Sequence, residues 1–230
     1  MKVNGVDIRR YGAVQLTAEV LPPSVSVDYE IVTGAALPNE FETDLELGEL
    51  QLCLYFRGKN RSSIIRNMSK LLEHVKQSCD LEVDGYKGTF KGYCSGSSYE
   101  KMKVKDRYKL DLTFKGYFYD DEICLEIDGK TSAYIERIGS RSAPAIIEVT
   151  AKEPLKDFKI TGFEDEITIE QLRYDETIII DGENGMITKD MENAFDSVEM
   201  WSFPQMQSVM NLSFSSDKAN VKIKYKPMWI

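Results

Sequence analysis

The chain is poor in histidine and cysteine and has no long apolar run. His74 is its only histidine, so a centre built on several imidazoles is excluded. The cysteines Cys53, Cys79, Cys94 and Cys124 are widely spaced and form no Cys-x-x-Cys pair, which argues against zinc. They read as ordinary buried or strand-face thiols. No apolar stretch approaches the ~20 residues of a membrane helix, so membrane insertion is not expected. The opening MKVNGVDIRRYG has no apolar segment behind its charges, so the expectation is synthesis in a cytoplasm without a secretory signal. Phosphate-loop, dinucleotide and nucleophile-elbow motifs are all missing, so no cofactor is expected. Positive charge is in short supply too: 29 Lys and Arg stand against 38 Asp and Glu, a net charge of −9. Tight binding to phosphate backbones needs the opposite sign, which disfavours a dedicated nucleic-acid binder.

What is present reads as short strands. The turn pairs Asp84-Gly85, Asp128-Gly129 and Asn184-Gly185 supply a left-handed backbone cheaply and predict three hairpins. These are LEVDGYKGTFKGYC, LEIDGKTSAYIERI and ETIIIDGENGMIT. Gly85, Gly88 and Gly92, close together, suggest a bulge or a sharp bend in the first. One segment breaks the strand pattern. From Arg61 to Ser78, Ile64, Ile65, Met68, Leu71, Leu72 and Val75 trace one helical face, and Asn60 or Ser62 is placed to cap it. His74 lies on the polar flank of that helix and reads as solvated. Residues 190–200 form at most a short turn. The Gly/Ser-rich SGSSYEK, Ser95 to Lys101, reads as a mobile loop. IGSRSAP, Ile138 to Pro144, is the expected domain boundary: strands plus one helix over 1–138, and strands and turns over 139–230 that fit a β-sandwich.

Chemistry is harder to find. Asp181-Gly182-Glu183-Asn184-Gly185 resembles a calcium loop, but Glu183 and Gly185 stand where the second and third ligands belong, so it reads as a turn. No carboxylate pair stands out from surface charge. Two segments carry opposite charge stripes. In YEKMKVKDRYKL, read as one extended strand, Lys101, Lys103, Lys105, Arg107 and Lys109 share a face. In EFETDLELG, Glu42, Asp44 and Glu46 share another. The plain reading is two solvated sheet faces. The sharper one is complementary pairing, within a sheet or between neighbouring subunits. A nucleic-acid groove is the third, weakened by few aromatics. Trp201 and Trp229 read as core, with sugar platforms or interface anchors as the alternative. The ending KYKPMWI follows a last strand with an apolar tail expected to be docked.

Taken in order, several segments resemble the phage distal tail proteins, which cap the tail tube of long, non-contractile-tailed phages. They are Asn4-Gly5-Val6-Asp7 with Arg10-Tyr11-Gly12-Ala13, CLYFRGKNR leading into the helix, and the hairpin LEVDGYKGTFKGY. IGSRSAPAIIEVTA follows as the interdomain step, then FKITGFEDEITIEQLRYDETIIIDGENGMIT, Phe203 to Met206, and the closing VKIKYKPMWI. The resemblance implies a mainly β fold. An N-terminal β-sandwich with one helix and a β-hairpin would precede a galectin-like β-sandwich, and the last residues would pack back on the first domain. It implies a structural, non-enzymatic virion protein: a hexameric ring (self-association) between the tail-tube protein and a tail-associated tip protein, with DNA only as passing cargo. Galectins bind sugar through a His-x-Asn-x-Arg strand, and residues 139–230 hold no histidine, so lectin activity is not carried over. The competing function is a carbohydrate- or host-receptor-binding module of a phage tail.

Overall fold

The computed structural model describes residues 1–30, 39–104 and 106–229, with side chains for all of these except 27–29 and 39–45. Two compact units divide the described chain, Met1–Tyr119 and Asp120–Trp229. Both are built from antiparallel strands.

The first unit carries β1 (Lys2–Val3), β2 (Val6–Asp7), β3 (Ala13–Leu21), β4 (Val25–Glu30), β5 (Asn39–Leu45) and β6 (Gly48–Arg57). After helix α1 (Arg61–His74) come β7 (Cys79–Glu82), β8 (Thr89–Lys101) and β9 (Arg107–Tyr119). One sheet runs β2-β1-β7-β8-β9-β6-β3, while β4 and β5 form a separate ribbon. Strict alternation in β6 and β9 sends Leu50, Leu52, Leu54 and Phe56, with Tyr108, Leu110, Leu112 and Phe114, into the core. Helix α1 covers that face with Ile64, Met68 and Leu71. Its start is a reciprocal cap: Ser63 donates its backbone N–H to Asn60 Oδ1 at 2.9 Å, and the Asn60 N–H donates to Ser63 Oγ at 3.4 Å. The helix stops at His74 rather than Ser78. Val75 still buries its side chain and closes the last turn onto the Leu71 carbonyl at 3.2 Å, and Cys79 then enters β7. His74 is exposed, its ring edge-on to Tyr11.

The glycines of β8 and β9 earn their place by close approach. Gly92 and Gly116 face each other in register, and a Cβ on Gly116 would stand 2.1 Å from the Lys91 carbonyl oxygen. The sheet curls so that the 83–88 turn meets β3: Gln15 exchanges hydrogen bonds with the Asp84 backbone at 2.9 and 3.0 Å.

The second unit comprises β10 (Ile123–Asp128), β11 (Ser132–Glu136), β12 (Ala143–Ala151), β13 (Leu155–Thr161), β14 (Ile167–Leu172) and β15 (Thr177–Asp181). It continues with β16 (Met186–Lys189), β17 (Glu192–Asn193), β18 (Val198–Glu199), β19 (Gln205–Met206), β20 (Val209–Phe214), β21 (Ala219–Tyr225) and β22 (Met228–Trp229). One sheet runs β10-β21-β12-β15-β16-β17, with β19 on β12; the other runs β11-β20-β13-β14-β18. Ala145, Ile147, Val149, Val221 and Ile223 are buried on the first, and Phe158, Ile160, Ile169, Met210 and Leu212 on the second. This two-sheet core is a β-sandwich.

Two expectations change here. LEIDGKTSAYIERI is not a hairpin: β10 pairs with β21 and β11 with β20, so the Asp128-Gly129 turn carries the chain from one sheet to the other. The division also falls at Tyr119/Asp120, ahead of Ile138–Pro144, because both of those strands complete the second unit's sheets. The hairpin ETIIIDGENGMIT does form, as β15 and β16. Its turn is tied by Asp181, whose Oδ1 accepts the Glu183 and Asn184 N–H groups, each at 2.9 Å.

Candidate functional site

The sequence placed its charged contact residues on two strands, and the fold rearranges one of them. YEKMKVKDRYKL is a hairpin rather than a strand. β8 ends at Lys101 and β9 begins at Arg107 as its antiparallel neighbour, with Asp106 at φ 58° and the Met102 N–H on the Arg107 carbonyl at 3.0 Å. Asp106 alone carries the turn signal within the alternating lysines, since Asp tolerates the left-handed region. Lys101 therefore pairs with Tyr108 and Lys109 with Glu100, so the cations do not line one strand face. Lys103 sits in the turn, and Lys105 lies outside the described residues. SGSSYEK, expected as a loop, is the second half of β8.

Glu42 and Asp44 fall on β5, opposite Asp28 and Ser26 of β4; their side chains lie outside those described. Glu46 follows the strand and is exposed, accepting from Ser24 Oγ at 2.5 Å. The fold thus separates the acidic and basic residues. β3 leaves Ala13 opposite Phe56 and reaches Leu21 opposite Glu49. The acidic ribbon departs from that Leu21/Gly48 end of the sheet. Gly12, the β6–α1 step and the β8–β9 turn gather at the other end.

Two long strand edges of the main sheet in this unit carry no strand partner among the described residues. β8 pairs with β7 only from Phe90 to Gly92, which leaves Cys94–Lys101 bare on that side. β3 pairs only with β6, its far side touched by the Tyr86 hydroxyl donating to the Ala18 carbonyl at 3.3 Å. Each edge has a bulge, between Cys94 and Gly96 and between Gln15 and Thr17. Each also carries exposed apolar side chains, Tyr93 and Tyr99 on one and Val14, Leu16 and Leu21 on the other. Unpaired edges of this kind template pairing with another chain.

The tryptophans were expected in the core, and the structure corrects this. Trp201 is 96% exposed and Trp229 39%. Trp229 sends its indole N–H to Asp120 Oδ2 at 2.7 Å, satisfying a donor that a core position would strand. Trp201 rides on a fixed loop, where Ser202 Oγ donates to Asp165 Oδ2 at 2.5 Å and Phe203 meets Phe195 edge-on. It borders a cavity of about 570 Å³ lined also by Glu166, Thr168 and Glu199. Sequence gave no sign of this exposure, because MWSFP has no alternation to read.

Comparison with known proteins bears on these features. A family model, that of the siphovirus-type tail component C-terminal domain, matches residues 138–229. Among solved structures, the Dit protein of phage SPP1 superimposes with a TM-score of 0.76 at 12% identity, covering 99% of this chain and 98% of its own. That protein is described as a paradigm of the hub adsorption apparatus in phages infecting Gram-positive hosts. A chain from the baseplate of phage p2 in its activated conformation matches with a TM-score of 0.51 at 11% identity, over 95% of this chain and 92% of its own. No curated protein sequence matches. Residues 138–229 therefore resemble the siphovirus-type tail component C-terminal domain, on a chain that shares the fold of the SPP1 Dit protein over nearly its whole length.

Proposed function

We propose that this chain is the distal tail hub of a phage with a long, non-contractile tail. It forms a homo-hexameric ring that joins the tail-tube protein to the tail-associated tip protein, lets DNA pass, and catalyses nothing. The observation that carries the reading is the tail-component match over residues 138–229, set on a whole-length fold correspondence with a hub protein. The strand edges of the first unit support this reading. Closed rings use heterologous interfaces, one patch meeting a different patch, and β8 and β3 offer two different bare edges on one sheet. Ring closure would cover both, along with the apolar side chains they expose. Negative-stain imaging of the concentrated protein, with native mass on the same sample, tests this. Six-fold rings with an open centre are expected, and a monomer that also fails to close a ring when mixed with its tube partner refutes the reading.

A second reading is favoured by Trp201. A fixed, exposed indole beside carboxylates and a hydroxyl is the arrangement that stacks on a sugar ring and hydrogen-bonds its hydroxyls, which would make the second unit a carbohydrate-binding module. Trp201→Ala should then lower binding to host cell-wall polysaccharide at least tenfold with folding unchanged. Equal retention of variant and parent on cell walls removes it.

A further inference from the structure

Most lysines of the second unit pair with a carboxylate of the same chain. Lys152 pairs with Asp128 at 2.5 Å, Lys159 with Glu166 at 2.5 Å, Lys222 with Glu126 at 3.0 Å and Lys226 with Glu183 at 2.9 Å. One end of the first unit behaves differently. Arg9, Arg10, Arg57, Lys59, Arg61 and Arg107 gather there, and among the described residues none of them forms an ion pair. Asp106 and Glu100 are the carboxylates of the adjoining turn and strand. Arg9, Arg57 and Lys59, with Gly12, Ala13 and Val14, line an open cavity of about 560 Å³.

These cations also sit where local electrostatics opposes them. Arg57 stands directly opposite Arg107 in register, a like-charge pair that destabilises a sheet. Arg107 is drawn over the Tyr55 ring, 6.0 Å from its centroid, instead of to an acid. Arg61 opens α1, whose first turn holds no acidic residue, so it faces the positive end of the helix dipole. A surface that bears such costs, with no ion pair among the described residues, is complementary to an anionic partner.

The chain itself carries one. No Lys, Arg or His lies between Arg10 and Arg57, while Asp28, Glu30, Glu40, Glu42, Asp44 and Glu46 crowd the β4–β5 ribbon. In the register of that ribbon Asp28 is the partner of Glu42, two acidic positions paired. The ribbon leaves from the far end of the sheet, so its root is a full strand length from the cationic end of its own subunit. We infer that the cationic end of one subunit receives the acidic β4–β5 ribbon of a second copy of this chain. The inference rests on the self-assembly reading above and assigns it a contact. Duplex DNA is the rival anion, disfavoured by a net charge of −9.

Charge exchange tests it by sedimentation velocity on the full chain, with circular dichroism confirming each fold. Arg57→Glu/Lys59→Glu and Glu40→Lys/Glu42→Lys should each weaken self-association at least tenfold. The four changes combined in one chain should restore it to within about threefold, because the exchanged surfaces match again. Raising salt should weaken the parent more than either reversal variant. Should both reversals assemble like the parent, or the combined chain associate no better than either, this contact is wrong and the ring reading stands. A parent chain that never self-associates removes both. Loss of duplex-DNA binding in Arg57→Glu/Lys59→Glu, with assembly intact, hands the surface to nucleic acid and overturns the proposal.

Discussion

Burial sorts the four thiols into different chemical characters. Burial raises the Cys79 thiol to about 11 from an ordinary value near 9.0, with the neighbouring Cys94 and Asp80 adding to it. Cys53 also rises to about 11, first through burial and then through its cross-strand neighbour Asp111. Cys124 is exposed. The thiolate is the reactive form, so a maleimide at neutral pH should label Cys124 quickly, Cys53 slowly and Cys79 only after denaturation. Labelling of Cys79 in the folded chain at the Cys124 rate would contradict its place in the core. The same shifts set a pH dependence. Between about 9 and 11 the folded chain holds thiol protons that the unfolded chain releases, so stability must fall as pH rises through that window. Denaturant midpoints at pH 8.5 and 10.5 read the difference directly.

At the level of elements, periodicity made some of the fold legible and topology hid the rest. Helix α1 could be read because Ile64, Met68, Leu71 and Val75 repeat at helical spacing after a capping Asn60. β15 and β16 could be read because a hairpin is local, its two strands and its turn adjacent in sequence. β10 and β11 could not. Asp128-Gly129 makes a tight turn whether the strands it joins pair with each other or part to different sheets, and their true partners, β21 and β20, lie far along the chain. The β8–β9 turn was missed for the opposite reason. Alternating lysines mimic a continuous strand, and only Asp106, in the left-handed region, marks the reversal. The candidate contact surface suffered most: its acidic half was visible as a cation-free stretch, but its basic half draws on Arg9, Arg57 and Lys59, which only the sheet register brings together.

For the molecule as a whole, sequence similarity and physical cohesion mark different boundaries. The tail-component match begins at residue 138, whereas the second compact unit begins at Asp120. The intervening β10 and β11 bury Ile127 and Ile135 and pair along most of β21 and β20 respectively. Burying each of those side chains contributes roughly 1.5–3 kcal/mol. Their loss would also bare two sheet edges. Against a domain stability of about 5–15 kcal/mol that is a large fraction. A fragment spanning 120–229 should therefore melt in one cooperative transition, while a fragment spanning 139–229 should melt about 10 °C lower or more, or aggregate through its exposed edges. Calorimetry on the two fragments decides the matter. Equal melting temperatures would make β10 and β11 appendages and return the boundary to the Gly-Ser-Pro step. A large gap would make them the first strands of the sandwich, so that any graft or truncation of this unit must begin at Asp120.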